Sequence, residues 1–318
     1  MTLTHRSLLP TLLLTLVLSA CGGAGSSGGS SSNNGNSSST LPLTQEPGAP
    51  VFQGNTASDG LNWFNFRRQQ VGLPPLTRNV RIDAAAQAHS DYQRLNNTIT
   101  HTQTAGRAGF TGEDLLTRLN QAGYTFSPRT AYAYGEVISS TGDASGFYMA
   151  EELVAAIYHR FVIFEPSFKE AGGGSAVSGN GTFYFTTNFA ANNGYGPGLG
   201  TGKIATYPFA NQERVPAVFN SDYESPDPVA GQNEVGYPIS VHADISSALV
   251  VQNFSVKPRA GANLPVKLLT NQTDRETPRS AAAIVPLVVL SSNTLYDVEF
   301  VGTADGVAVQ RNWSFRTR

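Results

Sequence analysis

The chain has 318 residues, with 21 Lys and Arg against 23 Asp and Glu, a formal charge of −2 and a single cysteine. A near-neutral balance without a basic run argues against nucleic acid as a partner. One cysteine leaves no internal disulfide framework, so an exported domain of this chain must rely on the size of its core.

A short basic start with His5 and Arg6 leads into an apolar run from Leu8 to Leu18, which ends in Leu18-Ser19-Ala20-Cys21. The run falls short of the roughly 20 residues that a spanning helix needs, so residues 1–20 read as a secretory signal peptide. The small residues before Cys21 resemble the bacterial lipobox. That resemblance implies a lipid on Cys21 as the contact with a membrane. Residues 21–57, rich in Gly, Ser and Asn, are expected to form a flexible tether. Gly22 offers no acidic retention signal, so the expected location is the cell envelope, with the outer membrane favoured in a Gram-negative host.

The next stretch, residues 58–190, alternates helix and strand patterns. Ser58 or Asp59 is placed to cap a helix carrying Leu61, Phe64, Val71 and Leu73, stopped by Gly72 and Pro74-Pro75. Asp83 is placed to cap a second helix with Ala85, Ala88, Tyr92 and Leu95 on one face. Thr111-Gly112-Glu113-Asp114 has the form of a capping box for a third, through Leu115, Leu116, Leu119 and Ala122. A strand over 134–139, a fourth helix from about Ala150 to Phe161, and hairpin strands over 175–178 and 182–189 complete a layered α+β pattern.

Turn formers dominate residues 191–214, which read as a linker. Residues 215–318 carry only strand patterns, over 239–242, 249–256, 265–269, 283–290, 296–301 and 307–315. Tyr296, Val298 and Phe300 alternate with Asp297 and Glu299, as in a half-buried strand. Short strands separated by turns predict an all-β sandwich.

Several runs of residues 58–190 arrive together in one order. They are LNWFNFRRQQVGLPPL, AAAQAHSDYQ, Thr100-His101, Leu119 to Tyr124, Gly135-Glu136-Val137-Ile138, His159-Arg160, Phe168 to Gly174 and Tyr184 to Phe189. In this order the segment resembles the CAP superfamily of cysteine-rich secretory proteins, antigen 5 and pathogenesis-related proteins. The resemblance implies an α-β-α sandwich with a shallow cleft lined by two histidines and two acidic residues. His101, Glu136 and His159 fall on three of those positions. Glu152, seven residues before His159, is the candidate for the fourth, although both could not reach one ion while their helix stays straight. The C-terminal pattern resembles bacterial Ig-like modules, through Pro286-Leu287, Leu295 to Val298 and Trp313 to Thr317.

Two imidazoles and a carboxylate permit three kinds of chemistry. His101, His159 and Glu136 could ligate Zn²⁺ and leave a position open for water. They could act as acid and base without metal. Or they could form a polar floor under a ligand cleft, with no chemistry of their own. No Gly-x-Ser-x-Gly elbow, His-Glu-x-x-His helix or free folded thiol accompanies them. The leading expectation is a non-enzymatic cleft for a lipid, small hydrophobic molecule or peptide. The alternatives are a Zn-dependent hydrolase and an adhesion or spacer protein. His89 is expected to be structural, and His242 is given no role.

Overall fold

The computed structural model describes residues 46–318. The expected signal peptide, the lipidation site Cys21 and most of the expected tether lie outside the described residues. The N-terminal domain comprises helix α1 (Thr56–Gln70), strand β1 (Thr77–Arg78), helices α2 (Val80–Asn96) and α3 (Leu115–Gln121), strand β2 (Ala133–Thr141), helices α4 (Gly146–Ala155) and α5 (Ile157–Ile163), and strands β3 (Glu170–Val177) and β4 (Phe183–Ala191). Its sheet runs β1-β3-β4-β2, so β2 is an edge strand.

Three consecutive glycines explain how helices cover both faces of this sheet. A Cβ at Gly172 would lie 2.2 Å from the backbone nitrogen of Asp83, and one at Gly174 would lie 2.1 Å from that of Gln87. Both belong to α2. The residue between them, Gly173, points to the other face, 3.0 Å from the carbonyl oxygen of Ala57 in α1. Alternation along a strand sends neighbours to opposite faces, so closely approaching helices on both sides require small residues at successive positions.

The caps differ from those expected, because the asparagine or aspartate nearest the first turn wins. Asn55 accepts from Ser58 N (2.9 Å), and Asp59 instead takes the Gln53 and Asn55 amides from inside the helix. Asn79 rather than Asp83 caps α2; Asp83 receives the Gly173 amide from β3. Asp114, not Thr111, caps α3, accepting from Thr117 N at 2.7 Å. The expected single fourth helix is broken at Ala156, whose ψ of 118° is extended, into α4 and α5. The straight helix that would join Glu152 to His159 therefore does not exist.

Beyond residue 191 the described chain is all-β apart from a 3-10 turn at Ser221–Tyr223. One sheet runs β10-β13-β14-β6, formed by Leu249–Pro258, Leu295–Ala304, Val307–Thr317 and Gln212–Val215. Another runs β11-β12-β9-β5, formed by Val266–Thr270, Ala281–Pro286, Ile239–His242 and Ala205–Tyr207. A two-stranded ribbon, β7 (Val218–Asn220) with β8 (Glu234–Gly236), completes the set. All six expected strands are present. The segment expected to be a linker supplies β5 and β6. They escape a periodicity reading because strands of three and four residues are too short to show one.

A single continuous apolar core runs through both halves, from Trp63, Phe64 and Phe161 to Tyr237, Val241, Val285 and Phe315. Polar groups at the junction are matched as closely. Buried Arg160 of α5 donates to the Pro238 carbonyl (2.7 Å), and its guanidinium lies 4.8 Å and 5.0 Å from the Tyr207 and Tyr237 ring centres. Glu165 accepts from Ile245 N at 3.0 Å, and His242 packs edge-on against Phe161 and Phe164. His242, given no role from the sequence, is a junction residue.

Candidate functional site

Glu136 sits on β2, opposite Asn188 of β4, on the face covered by α2 and α3. Arg118 of α3 clamps it through one nitrogen, Nη2, which donates to Oε1 (2.9 Å) and Oε2 (2.8 Å). The other terminal nitrogen of Arg118 donates to the His101 carbonyl at 2.9 Å, fixing the loop that carries this histidine. His101 Nδ1 meets Glu136 Oε1 at 2.8 Å. Burial alone would raise the Glu136 carboxyl. Arg118, then His89 and His101, overcome it and hold the group far below the usual carboxylate range. An ionised carboxylate only accepts, so the proton of neutral His101 is on Nδ1 and its Nε2 presents a bare lone pair.

His89 completes this network from α2. Its Nε2 donates to the Thr100 carbonyl (2.7 Å), leaving Nδ1 to accept from Gln103 Nε2 (2.9 Å). The Gln103 carbonyl oxygen in turn accepts from Thr111 N at 2.7 Å. The expected structural role thus holds in detail: His89 ties the His101 loop to the helix, 3.9 Å from Glu136.

His159 is held from the other half of the molecule. Glu224, at the end of the Ser221–Tyr223 turn, accepts from Ile157 N (2.8 Å), Tyr158 N (2.7 Å) and His159 N (3.2 Å). It also meets His159 Nδ1 at 3.0 Å. The first turn of a helix carries unpaired amides and a partial positive charge. Ala156, the residue in the capping position of α5, supplies no side-chain bond. A carboxylate 65 residues downstream does so instead, and orients the histidine at the same time.

His101 and His159 now present the same group. Each has Nδ1 committed to a carboxylate, and each Nε2 is buried without a hydrogen-bond partner. Burial, with the Arg118 charge adding to it, lowers the pKa of His101 even though Glu136 works to raise it. The sequence-predicted trio is therefore brought together, as two ring acceptors with Glu136 beneath one of them. Glu152 is not part of it. It is exposed on α4 and lines a separate cavity.

The donor set does not fit a catalytic zinc. Such a site needs three protein ligands, and both Glu136 oxygens are already engaged by Arg118. Among the described residues no group of three His, Cys, Asp or Glu side chains is arranged to hold a metal ion. Two buried ring nitrogens without a partner suit a donor such as water or a hydroxyl.

The trio is also closed off. His101 is 5% exposed, Glu136 2% and His159 0%. What is open is a neighbouring cavity of about 380 Å³ between α4, the outer half of β2 and the C-terminal sheets. Ile138, Leu153, Ala156, Val218 and Phe219 form apolar walls, with Glu152 and Arg318 among the polar lining residues. Glu224 forms part of its wall, so the carboxylate that holds His159 separates the histidine from the cavity.

A family model for the cysteine-rich secretory protein family, CAP, matches residues 61–189. Those residues are a CAP domain. Among solved structures, the chain is similar to an extracellular protein with an SCP domain from Bacillus anthracis, at 22% identity and a TM-score of 0.36, over 46% of this chain and 44% of that one. It is also similar to an outer surface protein of Borrelia burgdorferi, at 15% identity and a TM-score of 0.35, over 42% of this chain and 89% of that one. A cysteine-rich secretory protein of Staphylococcus aureus aligns at 18% identity with a TM-score of 0.30, over 47% and 40%. The chain thus spans less than half the length of two of these three proteins. No curated protein sequence matches it.

In this CAP domain the residues expected to line a shallow cleft are buried, and Glu224 of the C-terminal half is bonded to His159. Sequence reading located His101, Glu136 and His159 but missed Glu224 and Arg118. The signal for Glu224 was negative: Ala155-Ala156-Ile157-Tyr158 starts a helical turn with no residue able to cap it. Nothing in the local sequence identifies which distant carboxylate does so.

Buried histidines in both halves give the fold a defined response to acid. Burial holds His89 at about 4 and His242 at about 3, so both are neutral in the folded chain. Their contribution is full above pH 6.5 and is lost as pH falls, through about 4 for His89 and about 3 for His242. The His89 shift alone corresponds to about 3 kcal/mol. Glu165, pushed up to about 7 by burial, has the opposite sign and weakens the fold as pH rises between 4.5 and 7. The two histidines outweigh the one carboxyl, so the urea midpoint is expected to fall between pH 6.5 and 4. In His242→Asn that fall becomes shallower; an unchanged slope would remove His242 from the explanation.

Proposed function

We propose that the chain is an exported, lipid-anchored binding protein of the bacterial cell envelope. Its ligand site is the cavity between the CAP domain and the C-terminal sheets, and it performs no catalysis. The observation that carries this reading is the cavity itself. Its volume falls in the range of roughly 300–1,000 Å³ common to small-molecule sites, and its lining combines apolar walls with polar groups such as Glu152 and Arg318. The buried trio beside it is a polar floor: both Glu136 oxygens and both histidine Nδ1 atoms are engaged in holding the structure. A ligand with an apolar body, whether a lipid, a small hydrophobic molecule or a peptide, matches these walls.

The test is retention of a ligand. Native mass spectrometry of the protein taken from envelope membranes is expected to show bound mass. In Ala155→Trp, where the indole fills the cavity, the bound mass should fall at least tenfold while the circular dichroism spectrum is kept. Equal retention by both proteins would place the ligand elsewhere, and absence of any bound mass, with no thermal shift on adding palmitate or envelope extract, would remove the reading. The anchor is tested apart: labelled palmitate should enter the full chain and not Cys21→Ser, and equal labelling would refute lipidation there.

A further inference from the structure

Five consecutive residues, Ile138 to Gly142, line the cavity. Side chains along a strand alternate between faces, so four strand neighbours, Ile138 to Thr141, reach one space where that space lies along the strand's edge, and Gly142 continues the lining past the strand's end. β2 has β4 on one side and no strand on the other. The facing wall repeats the arrangement. Val218, Phe219 and Asn220 all line the cavity, they constitute β7, and the sheet partner of β7 is β8 alone. The cavity is therefore a slot between two free strand edges, one from each half of the molecule.

On each such edge alternate residues turn their N–H and C=O groups outward. Ser139 and Ser140 are 9% and 8% exposed, and buried backbone groups without a partner cost about 1–3 kcal/mol each. An alkyl chain in the slot would leave them unpaired. An extended peptide would pair them on both sides, by the strand addition that many peptide-binding domains use.

We propose that the slot takes a short extended peptide as an added strand between β2 and β7. This rests on the reading of the cavity as a ligand site and names the ligand class. A strand residue fills about 160 Å³, from a rise of 3.3 Å, a spacing of 4.8 Å and a layer about 10 Å thick. A space of about 380 Å³ thus holds two to three residues.

The experiment uses the full chain with a mixture of free tripeptides of Ala, Val and Thr, and the same mixture methylated on its amide nitrogens. Methylation removes the donors that strand addition needs and leaves the apolar side chains. Amide hydrogen exchange is expected to slow about tenfold over 138–142 and 218–220 with the first mixture, and to be unaffected by the second. Binding of both mixtures alike, or binding of palmitate with no protection from peptide, would overturn the peptide assignment while leaving a ligand site. Absence of any response to peptide, palmitate and envelope extract would overturn both.

Discussion

Glu224→Ala is expected to lower the unfolding free energy by about 4 kcal/mol, the range for removing one side of a buried charged contact. Four donors lose their acceptor at once: three amides at the start of α5 and the Nδ1–H of His159. Each buried donor left unpaired costs about 1–3 kcal/mol, and water entering from the adjoining cavity offsets part of the sum. Glu224→Gln keeps one accepting oxygen and should lie between wild type and the alanine variant. Urea denaturation followed by circular dichroism measures both. A change below about 1 kcal/mol in Glu224→Ala would mean that α5 does not depend on this carboxylate.

Arg118→Ala should be comparably severe, at about 3–5 kcal/mol, because it leaves the Glu136 charge buried without its main partner. It also frees the His101 carbonyl, so the loop carrying His101 loses an anchor. The sign of its pH dependence distinguishes this mechanism from lost packing. Without Arg118 the Glu136 carboxyl moves up, since burial is then opposed only by two histidines. The variant's deficit should therefore shrink as pH falls toward 4, where protonation removes the stranded charge. Adding Glu136→Gln to Arg118→Ala should recover part of the loss at pH 7. A deficit independent of pH, with no recovery in the double variant, would indicate simple cavity formation.

The N-terminal layers were legible because their signals are periodic or carried in short runs. The glycine run before β4, the Gly135-Glu136 step and the His159-Arg160 pair each mark a place where backbone or side chain is tightly constrained. The strands from Ile239 onward were legible for the same reason, with alternation such as that of Tyr296 to Phe300 visible over five or more residues. What sequence could not show is how the halves meet. Arg160 reads locally as a charged residue on a helix, and only the fold reveals its guanidinium between Tyr207 and Tyr237. Glu224 reads as one acid in a turn-rich stretch, Ser221 to Pro228, with no pattern to single it out. The expected cleft suffered most, since whether it is open depends on a partner 65 residues further along the chain.

Integration of the two halves is the premise beneath both the closed histidine site and the cavity, and calorimetry tests it most directly. A shared core with Glu224, Arg160 and Glu165 bridging the junction predicts that residues 46–318 unfold in one transition, with calorimetric and van't Hoff enthalpies equal. Glu224→Ala should shift that whole transition downward. Two separate transitions, with Glu224→Ala moving neither or only the one belonging to the C-terminal sheets, would contradict it.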